Sequence, residues 1–145
     1  MKVARSRVLR APVADVWRVL ADPYAIPRWW PLVRRVEGVR EEGWTTLLGK
    51  PGGRGVRADQ RLEASEPEQL RRWSLVVPGS PFERVLTASV TEARLAPAAD
   101  GSELRIELRQ TPRGWAHFGG FMLRRAARRQ LDEALDGMAR AVEDA

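Results

Sequence analysis

APVADVWRVLADPYAIPRWWPLV, residues 11–33, is punctuated by four prolines, and they divide it into two short helices. Pro12 suits a first helical turn, where its missing N–H costs nothing. Val13, Val16, Trp17 and Leu20 then follow i, i+3, i+4, i+7 and give a helix with one apolar face. Asp22-Pro23 ends it. Tyr24 to Trp30 fits one or two further turns, broken by Pro27 and stopped by Pro31. Adjacent tryptophans cannot point the same way. They either plug the end of a core or stand at the mouth of a cavity.

Outward from this stretch the period changes. Residues 3–10 read as a first strand. From Val33 to Thr111 the chain alternates with period two. The inward rows are expected to be Val56, Ala58, Gln60, Leu62 and Ala64; then Trp73, Leu75 and Val77; then Leu86, Ala88 and Val90; then Leu104, Ile106 and Leu108. Strands near Leu32–Val39 and Trp44–Leu48 precede them. Turn-like separators stand at 49–55 (GKPGGRG), 78–81 (PGSP) and 97–102 (PAADGS). GKPGGRG lacks the Gly-Lys-Ser/Thr ending of a phosphate-binding loop and reads as a flexible hairpin. After Pro112 the helical period returns. Leu123, Ala127, Leu131, Ala134, Leu135, Met138 and Val142 form one stripe, predicting a helix from about 116 to 143. Such a helix is ~40 Å long at 1.5 Å per residue, enough to lie across a whole sheet. The order predicts an α+β fold: strand, two short helices, about six antiparallel strands, one long covering helix.

Length and composition bound the function. The 145 residues suit one domain, 1–145, large enough for a real core. The absence of cysteine excludes disulfides, thiolate metal sites and a cysteine nucleophile. With a single histidine as well, no metal site is expected, and no cofactor is expected either. The N-terminus does not read as a signal peptide, and no run approaches the ~18 apolar residues of a spanning helix. A cytoplasmic protein without a transmembrane segment is expected. Net charge is +6, and of the 25 basic residues only Lys2 and Lys50 are lysine. The densest basic cluster, Arg124-Arg125-Ala126-Ala127-Arg128-Arg129, falls on the wet side of the last helix. It is expected to pair with Asp132, Glu133 and Asp136 through i, i+4 contacts. It has no interleaved aromatics and no nucleic-acid motif, so no nucleic-acid partner is expected.

The pattern of residues 11–33 is an Ala-Pro opening a helix, Val-Trp on its buried face, an Asp-Pro stop and a Trp pair. With the Asp100-Gly101 turn before the last strand, it resembles the START-like superfamily, also called Bet v 1-like or SRPBCC, in its polyketide cyclase/dehydrase-like branch. The resemblance implies a helix-grip fold, in which a curved antiparallel sheet wraps a long C-terminal helix and leaves a pocket between them. It further implies binding of lipids, polyketides or other apolar molecules. It carries over no catalytic residue.

Candidate ligand-binding residues follow from the rows. Trp30 and Trp73 are candidate walls. Gln60 interrupts an apolar row, so it is either a buried amide that needs a partner or a solvent-facing residue. Arg84 shares a parity with Phe82 and Leu86. It either faces inward near a strand end or snorkels to water. His117, Phe118 and Met122 stand at the start of the long helix, and His117 alone has a reference pKa suited to a general base near neutrality. The leading expectation is a small hydrophobic ligand held between sheet and helix. The alternatives are a polyketide cyclase/dehydratase-type enzyme using His117, Arg84 and Gln60, or a protein-interaction module such as a chaperone cofactor using the basic helix face.

Overall fold

The computed structural model describes residues 1–114 and 120–143. Strand β1 (Lys2–Leu9) leads into α1 (Val13–Leu20), a 3-10 turn (Pro23–Ala25) and α2 (Ile26–Trp29). Strands β2 (Val33–Arg40), β3 (Gly43–Leu48), β4 (Val56–Glu66), β5 (Leu70–Leu75), β6 (Leu86–Ala98) and β7 (Gly101–Pro112) follow, then α3 (Gly120–Glu143). The seven strands form one antiparallel sheet in the order β1-β7-β6-β5-β4-β3-β2. The sheet curves around α3, the helix-grip arrangement expected from the sequence.

The local signals act as their chemistry suggests. Pro12 stands extended just before α1, whose Val16 and Leu20 are buried. The Asp22 carboxylate accepts a hydrogen bond from the Tyr24 N–H at 3.0 Å, which turns the chain out of α1. Ser102, fully buried at the start of β7, donates to the Ala11 carbonyl at 2.9 Å and ties the last hairpin to α1. The core joins Leu9, Val16, Leu104 and Ile106 to Leu131 and Met138 of α3. The predicted stripe of α3 is buried at Ala127, Leu131, Ala134, Leu135, Met138 and Val142. Gly137 lies on the same side. A Cβ there would come within 2.8 Å of Trp29 Cα and closer still to the Trp29 carbonyl oxygen, so glycine lets α2 lie directly on α3.

Two expectations need correction. The inward row of β6 is Ser89, Thr91, Ala93 and Leu95, not Ala88 and Val90; Ala88 is exposed, whereas Thr91, Ala93 and Leu95 are buried. A register shift between Leu86 and Ala88 is the cause. One extra residue in a strand turns every later side chain to the opposite face. The basic cluster of α3 also pairs differently. Asp132 is held by Arg5 of β1 at 3.4 Å and Asp136 by Arg7 of β1, and only Arg129–Glu133, at 3.2 Å, is an i, i+4 pair within the helix. Among the described residues no helix is long and apolar enough to cross a membrane.

Candidate functional site

A hollow of about 160 Å³ lies between the inner face of the sheet and the helices. α2 contributes Trp29, the chain just after it Trp30, and α3 contributes Gln130. The sheet supplies Trp44 and Thr46 from β3, Ala58 and Gln60 from β4, Trp73 and Leu75 from β5, Ser89 and Thr91 from β6, and Leu108 and Gln110 from β7. Period-two alternation places each pair on one face of its strand. Ala58 is the small residue of this strand at the wall, and its short side chain leaves room beside the larger rings.

The tryptophans form a continuous chain of rings. Trp29 and Trp30 meet edge to face, with centroids 5.4 Å apart and planes at 83°. Trp30 meets Trp73 at 6.3 Å and 74°, and Trp73 meets Trp44 at 6.1 Å. Edge-to-face contact places the positive rim of one ring on the negative face of the next. Arg71, one step along the inner row from Trp73, is buried and lies over the Trp44 ring at 5.6 Å. Its guanidinium also donates to the Ser65 hydroxyl at 3.2 Å. Burial lowers the Arg71 pKa, and the charge of Asp22 partly offsets this. The cation braces the ring from outside the hollow.

The polar groups at the wall are neutral. Thr46 donates to the Ala58 carbonyl at 3.1 Å, and Gln110 Nε2 donates to Ser89 Oγ at 3.3 Å. Gln60 sits on β4 between its cross-strand partners Trp44 and Leu75. Its amide has no side-chain hydrogen bond to the described residues, so it can serve a bound oxygen or N–H. None of the described wall residues carries a titratable side chain.

Three of the residues expected from the sequence meet here: Trp30, Gln60 and Trp73. Arg84 does not. It is exposed in the turn at residues 81–85 rather than inward on a strand, so the inward expectation is corrected. Met122 is 66 % exposed on α3 and is not part of the wall. The helical wheel turns it from the core row, which runs through Ala127 and Leu131. His117 and Phe118 lie outside the described residues. The wall also holds Trp44, Thr46, Ser89, Thr91, Gln110 and Gln130, none of them a candidate from sequence. Trp44 and Thr46 carry a period-two signal with Leu48, and Gln110 continues the row of Leu104, Ile106 and Leu108. The bulge hides Ser89 and Thr91, and Gln130 flanks the apolar stripe without belonging to it.

The family described as polyketide cyclase / dehydrase and lipid transport matches residues 1–143. No curated protein matches this chain. Among solved structures, a START superfamily protein from Mycobacterium smegmatis superposes with a TM-score of 0.80 at 13 % identity, over 99 % of this chain and 97 % of that one. A protein from Chromobacterium violaceum gives 0.73 at 19 % identity, over 98 % and 96 %. The di-domain ARO/CYC StfQ of the steffimycin biosynthetic pathway gives 0.78 at 15 % identity, over 99 % of this chain and 50 % of that one. At these identities the likeness is one of fold.

Proposed function

The chain belongs to the polyketide cyclase / dehydrase and lipid transport family, and from that membership we propose that it binds a small, neutral, ring-shaped apolar molecule in the hollow between sheet and α3. The observation that carries this reading is the wall itself: four linked tryptophans with only uncharged polar groups among them. Rings offer flat apolar area for a flat guest. A charged guest would be stripped of water with no counter-charge among the described wall residues, at a cost of several kcal/mol or more. The volume of about 160 Å³ suits one or two fused rings. An engineered apolar cavity of about 150 Å³ in another protein holds benzene. Gln60 supplies the polar contact that orients a hydroxyl or carbonyl.

The test is titration with naphthalene, 1-naphthol and 2-naphthoate, read by tryptophan fluorescence and by thermal shift. The neutral compounds are expected to quench and stabilise, and naphthoate to bind roughly a hundredfold less well because its charge is buried unpaired. Gln60→Leu should weaken naphthol roughly fivefold, the worth of one hydrogen bond, and leave naphthalene unchanged. Ala58→Leu should fill the space and abolish both. Binding that survives Ala58→Leu, or no response to any neutral ring, would remove the proposal.

A further inference from the structure

We propose that the N-terminal half of α3 docks on an anionic lipid bilayer surface. Among the described residues the ion pairs leave three of the four arginines in this part of the helix without a carboxylate partner. Arg5 of β1 takes Asp132, the i, i+4 neighbour of Arg128, and Arg7 takes Asp136, which stands beyond i, i+4 reach of the cluster. Glu133 is taken by Arg129. Among the described residues, no carboxylate lies within ion-pair distance of Arg124, Arg125 or Arg128, and all three are exposed. The helix is electrically divided. Residues 120–131 contain four arginines and no acid, whereas Asp132, Glu133, Asp136 and Glu143 all lie in the second half. Cations early and anions late oppose the helix macrodipole, so the arrangement does not serve the stability of α3 itself.

The second observation is apolar. Phe121 is 75 % and Met122 66 % exposed, beside the unpaired arginines. At about 100° per residue they stand apart on the wheel with Arg125 between them. Phe121, Arg125 and Arg128 also border one open groove with Arg5 and Arg129, and the carboxylates in that groove, Asp132, Glu133 and Asp136, are the ones already paired. Each arginine is attracted to anionic headgroups, and the phenyl ring and thioether can enter the acyl boundary between them. A polyanion without an apolar layer, such as duplex RNA, would use the arginines and leave Met122 in water. The surface therefore fits a bilayer better. This inference does not rest on what fills the hollow.

The full-length protein is tested by co-sedimentation with vesicles of phosphatidylcholine alone and of phosphatidylcholine with about 30 % phosphatidylglycerol, near physiological ionic strength. Binding is expected only with phosphatidylglycerol. The triple change Arg124→Gln, Arg125→Gln, Arg128→Gln should lower the partition coefficient roughly a hundredfold, as loss of three charges near an anionic surface implies. Phe121→Ser with Met122→Ser should abolish the part of the binding that survives added salt. The changes are at exposed positions, and an unaltered Tm verifies folding. A control, Lys50→Gln, Arg54→Gln and Arg61→Gln, removes the same charge elsewhere and should bind like the parent. The proposal is overturned by no preference for phosphatidylglycerol, by equal loss in the control, by no effect of the Phe121/Met122 change, or by duplex RNA binding more tightly than the vesicles.

Discussion

Leu32 shows how much one residue holds at the corner between α2 and β2. Its φ is +64°, a left-handed conformation that a branched side chain adopts at a cost of about 1–2 kcal/mol. Its carbonyl accepts the Gly49 N–H at 2.9 Å, which fixes the corner against the end of β3. The side chain is 61 % exposed, so little burial offsets the strain. Leu32→Asn is therefore expected to raise stability by about 0.5–1 kcal/mol, seen as a higher urea midpoint with unchanged slope. A lower midpoint would show that the leucine packs against something essential. The tryptophan pair stands at the same corner. Trp29 is buried and Trp30 half-buried, as a packed ring and a bordering ring should be, yet both face the hollow. The number and spacing of the rings are legible in sequence. The 83° turn between their planes depends on the backbone at Trp30 and Pro31 and is not.

At the scale of elements, three carboxylates on the outer face of the sheet, Glu37, Glu92 and Glu107, each stand between basic residues. Glu92 of β6 receives Arg72 of β5 at 2.7 Å and Arg94 at 3.0 Å. Burial pushes its carboxyl pKa up, but the hydrogen bonds and charges of Arg72 and Arg94 together outweigh it and hold the group below the ordinary 4.5. A pKa depressed in the folded state means stability that is present above the unfolded value and lost as pH falls through the folded one. The parent is expected to lose stability below about pH 4.5, and Glu92→Gln should lose less over that window, read as urea midpoints from pH 6 downward in steps of about half a unit. Parallel curves would place the acid sensitivity elsewhere. The strands show where periodicity succeeds and where it fails. β7 alternates without interruption, and its inward row of Leu104, Ile106 and Leu108 is plain in the sequence. β6 alternates equally well on paper, but the bulge after Leu86 exchanges its faces. A bulge is set by the partner strand, and one strand's sequence does not reveal it.

At the scale of the whole molecule, α2 and α3 meet at Gly137 without a side chain between them, and this contact sets where Trp29 and the hollow's helical wall stand. Gly137→Ala would set a methyl group on the Trp29 backbone, which cannot move aside as a flexible side chain can. The variant is expected to lose about 2–3 kcal/mol, at the upper end of ordinary overpacking, and to bind neutral rings less well because Trp29 and Trp30 shift together. Denaturant titration and the naphthol assay check the two effects. Stability within about 0.5 kcal/mol of the parent would mean that the two helices part freely. By itself the sequence determined the element order, the amphipathic face of α1, the core stripe of α3 and most inward strand rows, because period and punctuation act within a few neighbouring residues. Tertiary structure alone decided which carboxylates β1 takes from α3, which face of β6 looks inward, where Arg84 and Met122 stand, and that the facing rows leave a space rather than close. Those outcomes depend on distances between segments far apart in the chain, and local spacing carries no information about such distances.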